Sequence, residues 1–248
     1  MSKARCTITL LLLLIQTACA GERISLRPIP TPLPADGFDF PLNPDHYGPY
    51  IQGITGPLNV DTRFGVQNPA LGDTPKCFHD RNGQGVPFRE LYHAGEDWFQ
   101  LDAAGQADTA AAAGDPVHAV AQGVVYLTQE IGDQGSIVVV AHRLADDTPI
   151  YSAYWHVSDL QVERGEGVER GQVIAVVRDQ GWNSHLHWEL RSFADGSDLF
   201  PSESAGGRGA CNGYAAAVGY TWDDDVSRSR PDYWGYIDPR QFIESHHP

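Results

Sequence analysis

Two short stretches of the sequence carry residue types that bind metal ions. "HLHWE" places His185 and His187 one residue apart in an apolar run, and "HAGED" places His93 and Asp97 four residues apart. Imidazole and carboxylate groups are ordinary zinc ligands, and three protein ligands with one open position are typical of catalytic zinc. Gly95 lies between His93 and Asp97, and we expect its backbone freedom to let the chain turn so that both side chains converge. Together the two stretches favour a catalytic metal site.

The two histidines of "HLHWE" are not predicted to be equivalent. Side chains alternate between the two faces of a strand, so His185, His187 and Glu189 share one face, while Leu186 and Trp188 face a core. Residues on one face lie roughly 6.6 Å apart, so both imidazoles could reach one zinc ion, at about 2.0–2.1 Å, only if the strand were distorted. The easier arrangement has one imidazole on the metal and the other beside the reacting group. Glu189 is predicted either to fix a histidine ring or to be a half-buried surface acid.

The elements that must position these residues are strands. From Pro116 onward, apolar pieces rich in Val, Ile and aromatic residues alternate with turns rich in Gly, Asp and Pro, as in "GSIVVVAHR", "ADDTP" and "PIYSAYWHV". Short strands with close turns predict a mainly β fold, an antiparallel sandwich or barrel. "YWHV" adds His156 at the end of a strand. Alternation puts Tyr154 on the same face as His156, so we expect Tyr154 either to reach the cleft or to be a core aromatic residue.

Length and composition favour one domain with extensions for the 248 residues. "MSKAR", "ITLLLLLI" and "ACAG" form a basic start, a short apolar stretch and a cleavage site, which is typical of a signal peptide. The prolines that follow predict an extended tether. The predicted division is a signal peptide at 1–20, a proline-rich tether at 21–45 and a single domain at 46–248. Within that domain we expect a core at about 88–194, a loop insertion at 195–234 and a C-terminal docking segment at 235–248.

Cys19 leaves two outcomes open for the exported protein. It follows the apolar stretch, as the lipidated cysteine of a bacterial lipoprotein does, although Gln16 stands where such signals usually have Leu. The chain is predicted either to lose Cys19 with the signal peptide or to carry a lipid anchor there. In both cases it leaves the cytoplasm, as a periplasmic, extracellular or membrane-anchored protein. In an oxidising compartment, Cys77 and Cys211 are predicted either to form a disulfide or to remain separate buried thiols.

The charge of the chain argues against a nucleic-acid partner. With 17 Lys and Arg against 32 Asp and Glu, the formal net charge is −15. A nucleic acid is bound chiefly through basic side chains that neutralise its phosphates. We therefore expect a solvated acidic surface that keeps an exported protein soluble.

Three motifs of the chain match the pattern of a known family. "HAGED", "YWHV" and "HLHWE" correspond to H-x-x-x-D, to a histidine in a Y-x-H-L-like strand and to H-L-H-[FW]-E. Connecting stretches such as "GDPVHAVAQGVVYL" and "VERGEGVERGQVIAVV" are similar as well. The chain thus resembles the lysostaphin/LytM-type zinc metalloendopeptidases of the duplicated hybrid motif family, which cut peptidoglycan peptides. The resemblance covers about residues 88–194 and "YIDP" near 236–239.

This resemblance implies a function and a role for each site residue. One zinc ion per chain would be held by His93, Asp97 and His187. His156 and His185 would form the catalytic pair that orients and deprotonates a water molecule and stabilises the tetrahedral oxyanion. The fold implied is a LytM-type antiparallel core with long loop insertions. The protein would be an exported zinc endopeptidase that hydrolyses a cross-link or a stem peptide of peptidoglycan.

Two other functions stay open at this point. One is a catalytically inactive relative that binds or activates other cell-wall hydrolases; such relatives usually lose ligands, whereas all five positions are filled here. The other is a zinc carboxypeptidase on cell-wall peptides, since related enzymes share a His/Asp/His zinc site. A carrier domain with a similar strand-turn pattern is set aside, because biotinyl and lipoyl carriers need a turn lysine and Lys76 lies outside the β region.

Overall fold

The structure is a computed structural model that describes residues 28–49, 61–67, 75–108, 110–194 and 219–247. The predicted signal peptide, Cys19, Cys211 and part of the predicted loop insertion lie outside the described residues. A lipid anchor at Cys19 and a Cys77–Cys211 disulfide therefore remain predictions.

Strands dominate the described residues, so the prediction of a mainly β fold is confirmed. The strands are β1 (Tyr47–Pro49), β2 (Pro75–His79), β3 (Gly85–Pro87), β4 (Tyr92–His93), β5 (Glu96–Leu101), β6 (Ala107–Asp108), β7 (Pro116–His118), β8 (Gly123–Glu130), β9 (Ser136–Arg143), β10 (Pro149–Ser158), β11 (Gly167–Val168), β12 (Val173–Val177), β13 (Leu186–Arg191), β14 (Tyr220–Thr221) and β15 (Tyr236–Ile237). Short 3₁₀ turns occupy Phe88–Glu90, Gly132–Gln134, Gly181–Asn183, Val226–Arg228 and Pro231–Trp234, and the α-helix α1 spans Pro239–His246. In the described part of the chain, no helix is long and apolar enough to cross a membrane.

The paired strands of the described residues run antiparallel, and most of them join one large sheet. Its main path is β1-β5-β13-β10-β9-β8-β11, with β6, β7, β12 and β15 attached at the sides. Two small pairs, β4 with β14 and β2 with β3, stand apart from it. The run Ile137, Val138, Val139 and Val140 in β9 is fully buried, as expected for an apolar strand covered on both faces.

β13 carries the "HLHWE" motif into the middle of the sheet, between β5 and β10. The register places His187 opposite Asp97 of β5 and opposite Trp155 of β10. Leu186 and Trp188 are fully buried in the main hydrophobic cluster. The predicted division of this strand into a core face and a histidine face is confirmed.

β10 contains a bulge that breaks the alternation of its side chains. Its register against β9 shifts between Tyr154 and Val157, and His156 has a positive φ of 58°. Tyr154 is fully buried in the core, and its hydroxyl accepts a hydrogen bond from the Val120 amide at 2.9 Å. The expectation that Tyr154 reaches the cleft is therefore wrong, and the alternative of a core aromatic residue is right. The bulge turns His156 instead toward His185, with 4.9 Å between the ring centroids.

The N-terminal part of the described chain packs against the sheet. Phe38 and Leu42, which belong to the proline-rich stretch, are buried in the main hydrophobic cluster. Pro34 forms an isolated bridge with Arg143 of β9. The described part of this stretch therefore contributes to the core of the domain.

The C-terminal helix docks on the same cluster. α1 begins after Asp238, whose side chain accepts a hydrogen bond from the Gln241 amide, a usual N-cap arrangement. Ile243 is fully buried, and the ring of Phe242 meets that of Phe38 edge-on at 5.0 Å. The two ends of the described chain thus meet in one apolar contact.

Candidate metal centre

Three side chains converge on one face of the sheet and present one ligand atom each. His93 Nε2, Asp97 Oδ1 and His187 Nδ1 form a triangle whose sides are 2.9 Å between the histidines, 3.1 Å from His93 to Asp97 and 2.7 Å from His187 to Asp97. Ligand atoms around tetrahedral zinc lie about 3.3 Å apart when the bonds are about 2.0–2.1 Å long, so a small expansion fits the triangle to the ion. Two imidazoles and a carboxylate are also an ordinary zinc donor set. The structure thus brings together the three residues that the sequence predicted as ligands, in a group that could hold a metal ion.

Strand geometry fixes the triangle and explains the glycine in "HAGED". His187 lies directly opposite Asp97 in the β13–β5 ladder. A Cβ on Gly95 would overlap the carbonyl oxygen of Trp188 and lie 2.8 Å from Cγ of Glu189. Gly95 lies in a bend of the chain, as expected, but it is not among the residues with positive φ. It is required because β13 approaches the backbone too closely for any side chain.

Hydrogen bonds outside the triangle select the nitrogen that each ligand histidine offers. His93 Nδ1 lies 3.3 Å from the Arg63 carbonyl oxygen, and His187 Nε2 lies 2.9 Å from Glu189 Oε1. Both acceptors require a proton on the ring nitrogen that faces them, so His93 Nε2 and His187 Nδ1 are the nitrogens that can offer a lone pair to a metal ion in the triangle. Glu189 is fully buried, so it is the partner that fixes a histidine ring and not a half-buried surface acid.

The charges around the triangle shift the pKa values of two of its members. Burial alone would raise the pKa of Asp97, but the His93 and His185 imidazoles and the hydrogen bonds from His187 and His93 hold that pKa well below its usual range. Burial opposes a charge on His187, yet its hydrogen bonds to Asp97 and Glu189 raise the pKa of His187 to about 9. The centre therefore favours positive charge between two carboxylates. A divalent cation that replaces the proton on His187 Nδ1 would supply this positive charge.

His156 and His185 lie beside the triangle and not in it. Their ring centroids are 4.9 Å apart, and His185 Nε2 is 3.8 Å from Asp97 Oδ1. Each Nδ1 faces a backbone carbonyl, that of Asn183 at 2.7 Å from His185 and that of Gln134 at 3.2 Å from His156. Each Nδ1 therefore donates, and each Nε2 keeps a lone pair. Burial and the neighbouring histidines lower the pKa of His156 to about 3, and burial also lowers the pKa of His185, so both imidazoles are neutral near pH 7.

One wall of the centre comes from Gly219 and Tyr220, which belong to the predicted loop insertion at 195–234 and lie in no motif of the sequence. β14 pairs with β4 and sets Tyr220 opposite His93, with 5.3 Å between the ring centroids. The Gly219 carbonyl accepts a hydrogen bond from the Ala94 amide at 2.9 Å, and a Cβ on Gly219 would lie 3.2 Å from the His187 ring. The available signal was the aromatic run "GYTW" at the end of a long Gly-rich stretch. That aromatic run alone did not indicate which part of the chain these residues would contact.

The fold and the site together define a β-sheet protein with a candidate His–Asp–His metal centre. Residues 105–201 match the profile of the family described as "Peptidase family M23". Over 86 residues the chain is 37% identical to the lipoprotein NlpD of Yersinia enterocolitica, a match that covers 34% of this chain and 84% of NlpD. The chain therefore belongs to peptidase family M23, and the resemblance to lysostaphin/LytM-type peptidases is confirmed. The family match begins after His93 and Asp97, so the place of these two residues in the centre rests on the geometry.

Two further similarities cover smaller parts of the proteins compared. The chain is 34% identical over 85 residues to the peptidoglycan DD-endopeptidase ShyA of Vibrio cholerae serotype O1, a match that covers 34% of this chain and 19% of ShyA. The structure of the antimicrobial peptidase lysostaphin from Staphylococcus simulans aligns with a TM-score of 0.36 and 17% identity, over 74% of this chain and 50% of that chain. The chain thus spans about a fifth of ShyA and half of the lysostaphin chain.

Proposed function

We propose that this protein is an exported zinc endopeptidase that hydrolyses peptide bonds of peptidoglycan, in a cross-link or a stem peptide. The observation that carries the proposal is the triangle of ligand atoms with a second pair of histidines beside it. His93, Asp97 and His187 are proposed as the ligands of one zinc ion per chain. His156 and His185 are proposed as the catalytic pair.

The donor atoms fit zinc by their chemistry and by their outer contacts. The Arg63 carbonyl and the Glu189 carboxylate each hold a ring proton away from the triangle. The low pKa of Asp97 keeps its carboxylate ionised. When bound, zinc supplies Lewis-acid polarisation of a carbonyl group and lowers the pKa of water.

The remaining steps fall to the catalytic pair. With Nδ1 bound to a backbone carbonyl, each imidazole has one nitrogen, Nε2, with which to act. One neutral Nε2 accepts the proton of the attacking water, and the resulting imidazolium is stabilised by the carbonyl at its Nδ1. The proton now on that Nε2 can hydrogen-bond to the oxygen on which negative charge develops, and it passes to the leaving amine nitrogen when the C–N bond breaks. The second ring, 4.9 Å away between ring centroids, can accept a hydrogen bond from the water at its own Nε2 and so orient it.

The substrate and the location are proposed from the relatives. ShyA is named as a peptidoglycan DD-endopeptidase, which supports a peptidoglycan peptide as substrate. NlpD is named as a lipoprotein, which supports a lipid anchor at Cys19 and a place in the cell envelope. The basic and apolar N-terminal residues support export in either case.

Zinc content and cleavage products of the purified protein test the proposal. We expect one zinc ion per chain and cleavage of defined muropeptides, with the cut bond identified by mass spectrometry. His187→Ala should lose zinc and activity. His156→Ala should keep zinc and lose activity. His46→Ala, which removes an exposed histidine, should keep both and serves as the control.

Other outcomes would favour the other functions. A wild-type protein that binds zinc yet cuts no muropeptide would favour the inactive, hydrolase-binding relative. Release of terminal residues only would favour a carboxypeptidase. A wild-type protein that binds no zinc would contradict the proposal as a whole.

A further inference from the structure

We propose that Arg191 is a positioning residue of the metal centre: it fixes the Glu189 carboxylate, and Glu189 fixes the His187 imidazole. The inference rests on the zinc site proposed above. It adds a residue that touches neither the metal nor the substrate.

The three side chains form a continuous line along one face of β13. His187, Glu189 and Arg191 alternate with the core residues of the strand and therefore point the same way. Glu189 Oε1 lies 2.9 Å from His187 Nε2, and Glu189 Oε2 lies 3.5 Å from Arg191 Nε. Oε1 of the carboxylate thus meets His187 in a hydrogen bond, and Oε2 faces Arg191 in an ion pair without a hydrogen bond.

Arg191 is buried with little else to compensate its charge. The side chains of Arg191 and Glu189 are both fully buried. Among the described residues, no hydrogen-bond acceptor reaches Nε, Nη1 or Nη2 of Arg191, and its guanidinium carbon lies 5.3 Å from the centre of the Phe193 ring. The ion pair with Glu189 is therefore its main electrostatic contact within that part of the chain.

A gain in folding stability alone does not explain why Glu189 and Arg191 are buried as an ion pair. Burying two opposite charges usually stabilises a fold no more than a well-packed apolar pair, because each charge loses its hydration. The pair does supply a fixed hydrogen-bond acceptor for a histidine that must present Nδ1 to a metal. Outer partners of this kind orient ligands and raise metal affinity.

Arg191 lies in the same paired strand as the proposed ligand His187. In the sheet, Arg191 is opposite Tyr151 of β10 on one side and Tyr236 of β15 on the other. The contacts that link Arg191 to His187 through Glu189 thus lie within one central strand and involve no loop residue. A planar guanidinium also has fewer ways to reorient than a flexible ammonium group.

Zinc affinity, measured by chelator competition on the purified protein, tests the inference. Arg191→Met removes the charge and keeps most of the volume, and we expect zinc binding about 10-fold to 100-fold weaker. Arg191→Lys restores the charge without the guanidinium and should recover part of that loss.

A double variant tests whether Arg191 acts through Glu189. Glu189→Gln should weaken zinc binding, and adding Arg191→Met to it should weaken zinc binding little further, because both changes break the same line of contacts. In the cobalt-substituted protein, the visible absorption bands should shift in Arg191→Met.

Arg170→Met is the matched control. It removes an arginine whose ion pairs are with Asp36 and Asp39 in the N-terminal stretch, so it should leave zinc affinity unchanged. A folded Arg191→Met with wild-type zinc affinity would overturn the inference. Should Arg191→Met fail to fold, a folded Glu189→Gln with wild-type zinc affinity would overturn it equally. In both cases the wild-type protein would still bind zinc and cleave muropeptides, so the proposed function would be unaffected. A wild-type protein that binds no zinc would instead contradict the proposed function itself.

Discussion

Hydrogen bonds to single ring nitrogens decide what each histidine can do. In the metal centre one nitrogen of each ligand ring is held by a carbonyl or a carboxylate, and the other faces Asp97 in the triangle of ligand atoms. His142 is the contrast, because both of its nitrogens are occupied: Nδ1 lies 2.8 Å from the Gln122 carbonyl and Nε2 lies 2.8 Å from Ser152 Oγ. A buried histidine with no free nitrogen is a structural residue.

The burial of His142 predicts a loss of stability in acid. Burial lowers its pKa from 6.5 to about 4, against the opposing effect of the Gln122 carbonyl. Between pH 6.5 and pH 4 the unfolded chain takes up a proton at this position and the folded chain does not. The free energy of unfolding should therefore fall by up to about 3 kcal/mol as the pH drops through this window.

Urea unfolding at several pH values between 4 and 7 measures this effect. The comparison is with His142→Gln, whose side chain does not titrate. The variant should lose about 3 kcal/mol less than the wild type over the window. Equal slopes for the two proteins would contradict a neutral, buried His142.

At the scale of elements, the centre depends on how closely β13 and the segment leading into β5 approach each other. Gly95→Ala puts a methyl group against the Trp188 carbonyl oxygen and the Glu189 side chain. We expect a destabilisation of about 3 kcal/mol or more, since the obstacle is backbone, together with loss of zinc. Urea unfolding and zinc content measure the two effects.

Gly167→Ala is the control for that substitution. Gly167 also lies in a strand, but the nearest atom to its added Cβ is 4.0 Å away and its φ is not positive. It should change the free energy of unfolding by less than about 1 kcal/mol. A zinc-loaded Gly95→Ala of wild-type stability would contradict the close approach.

The same elements show what sequence reasoning can reach. The convergence of His93, Asp97 and His187 could be predicted because the family resemblance implies all three, whereas strand period alone left open which histidine of "HLHWE" joins the group. Tyr154 could not be placed, because strict alternation was assumed and the bulge at His156 breaks it. Gly219 and Tyr220 could not be found, because their contact with the centre joins parts of the chain that are far apart in sequence. Local sequence patterns predict which face of a strand a residue occupies and which residues could bind a metal ion. Bulges and pairings between distant segments depend on the packing of the whole domain.

At the scale of the whole molecule, the two ends of the described chain support the sheet from one side. Phe38 from the N-terminal stretch and Ile243 from α1 belong to one hydrophobic cluster. Arg240 of the same helix lies 3.6 Å from Glu96, the neighbour of Asp97. The helix is thus tied to the strand that carries a proposed ligand.

Truncation of Ile243 measures how much this support contributes. Ile243→Ala removes a fully buried side chain and should lower the free energy of unfolding by about 2–4 kcal/mol. Glu244→Ala, at an exposed position of the same helix, should change it by less than about 0.5 kcal/mol. Chemical denaturation compares the two, and similar values for both variants would show that α1 is not anchored in the core.

The bulge in β10 has an evolutionary consequence. Because His156 reaches the centre only through a local irregularity with a φ of 58°, removing one residue there would restore regular pairing and send the next side chain to the opposite face. The three proposed ligands lie on other strands, β4, β5 and β13. Within one scaffold, a single deletion could thus separate the capacity to hold a metal ion from the capacity to use it, and a descendant could lose catalysis while its ligand set stayed intact.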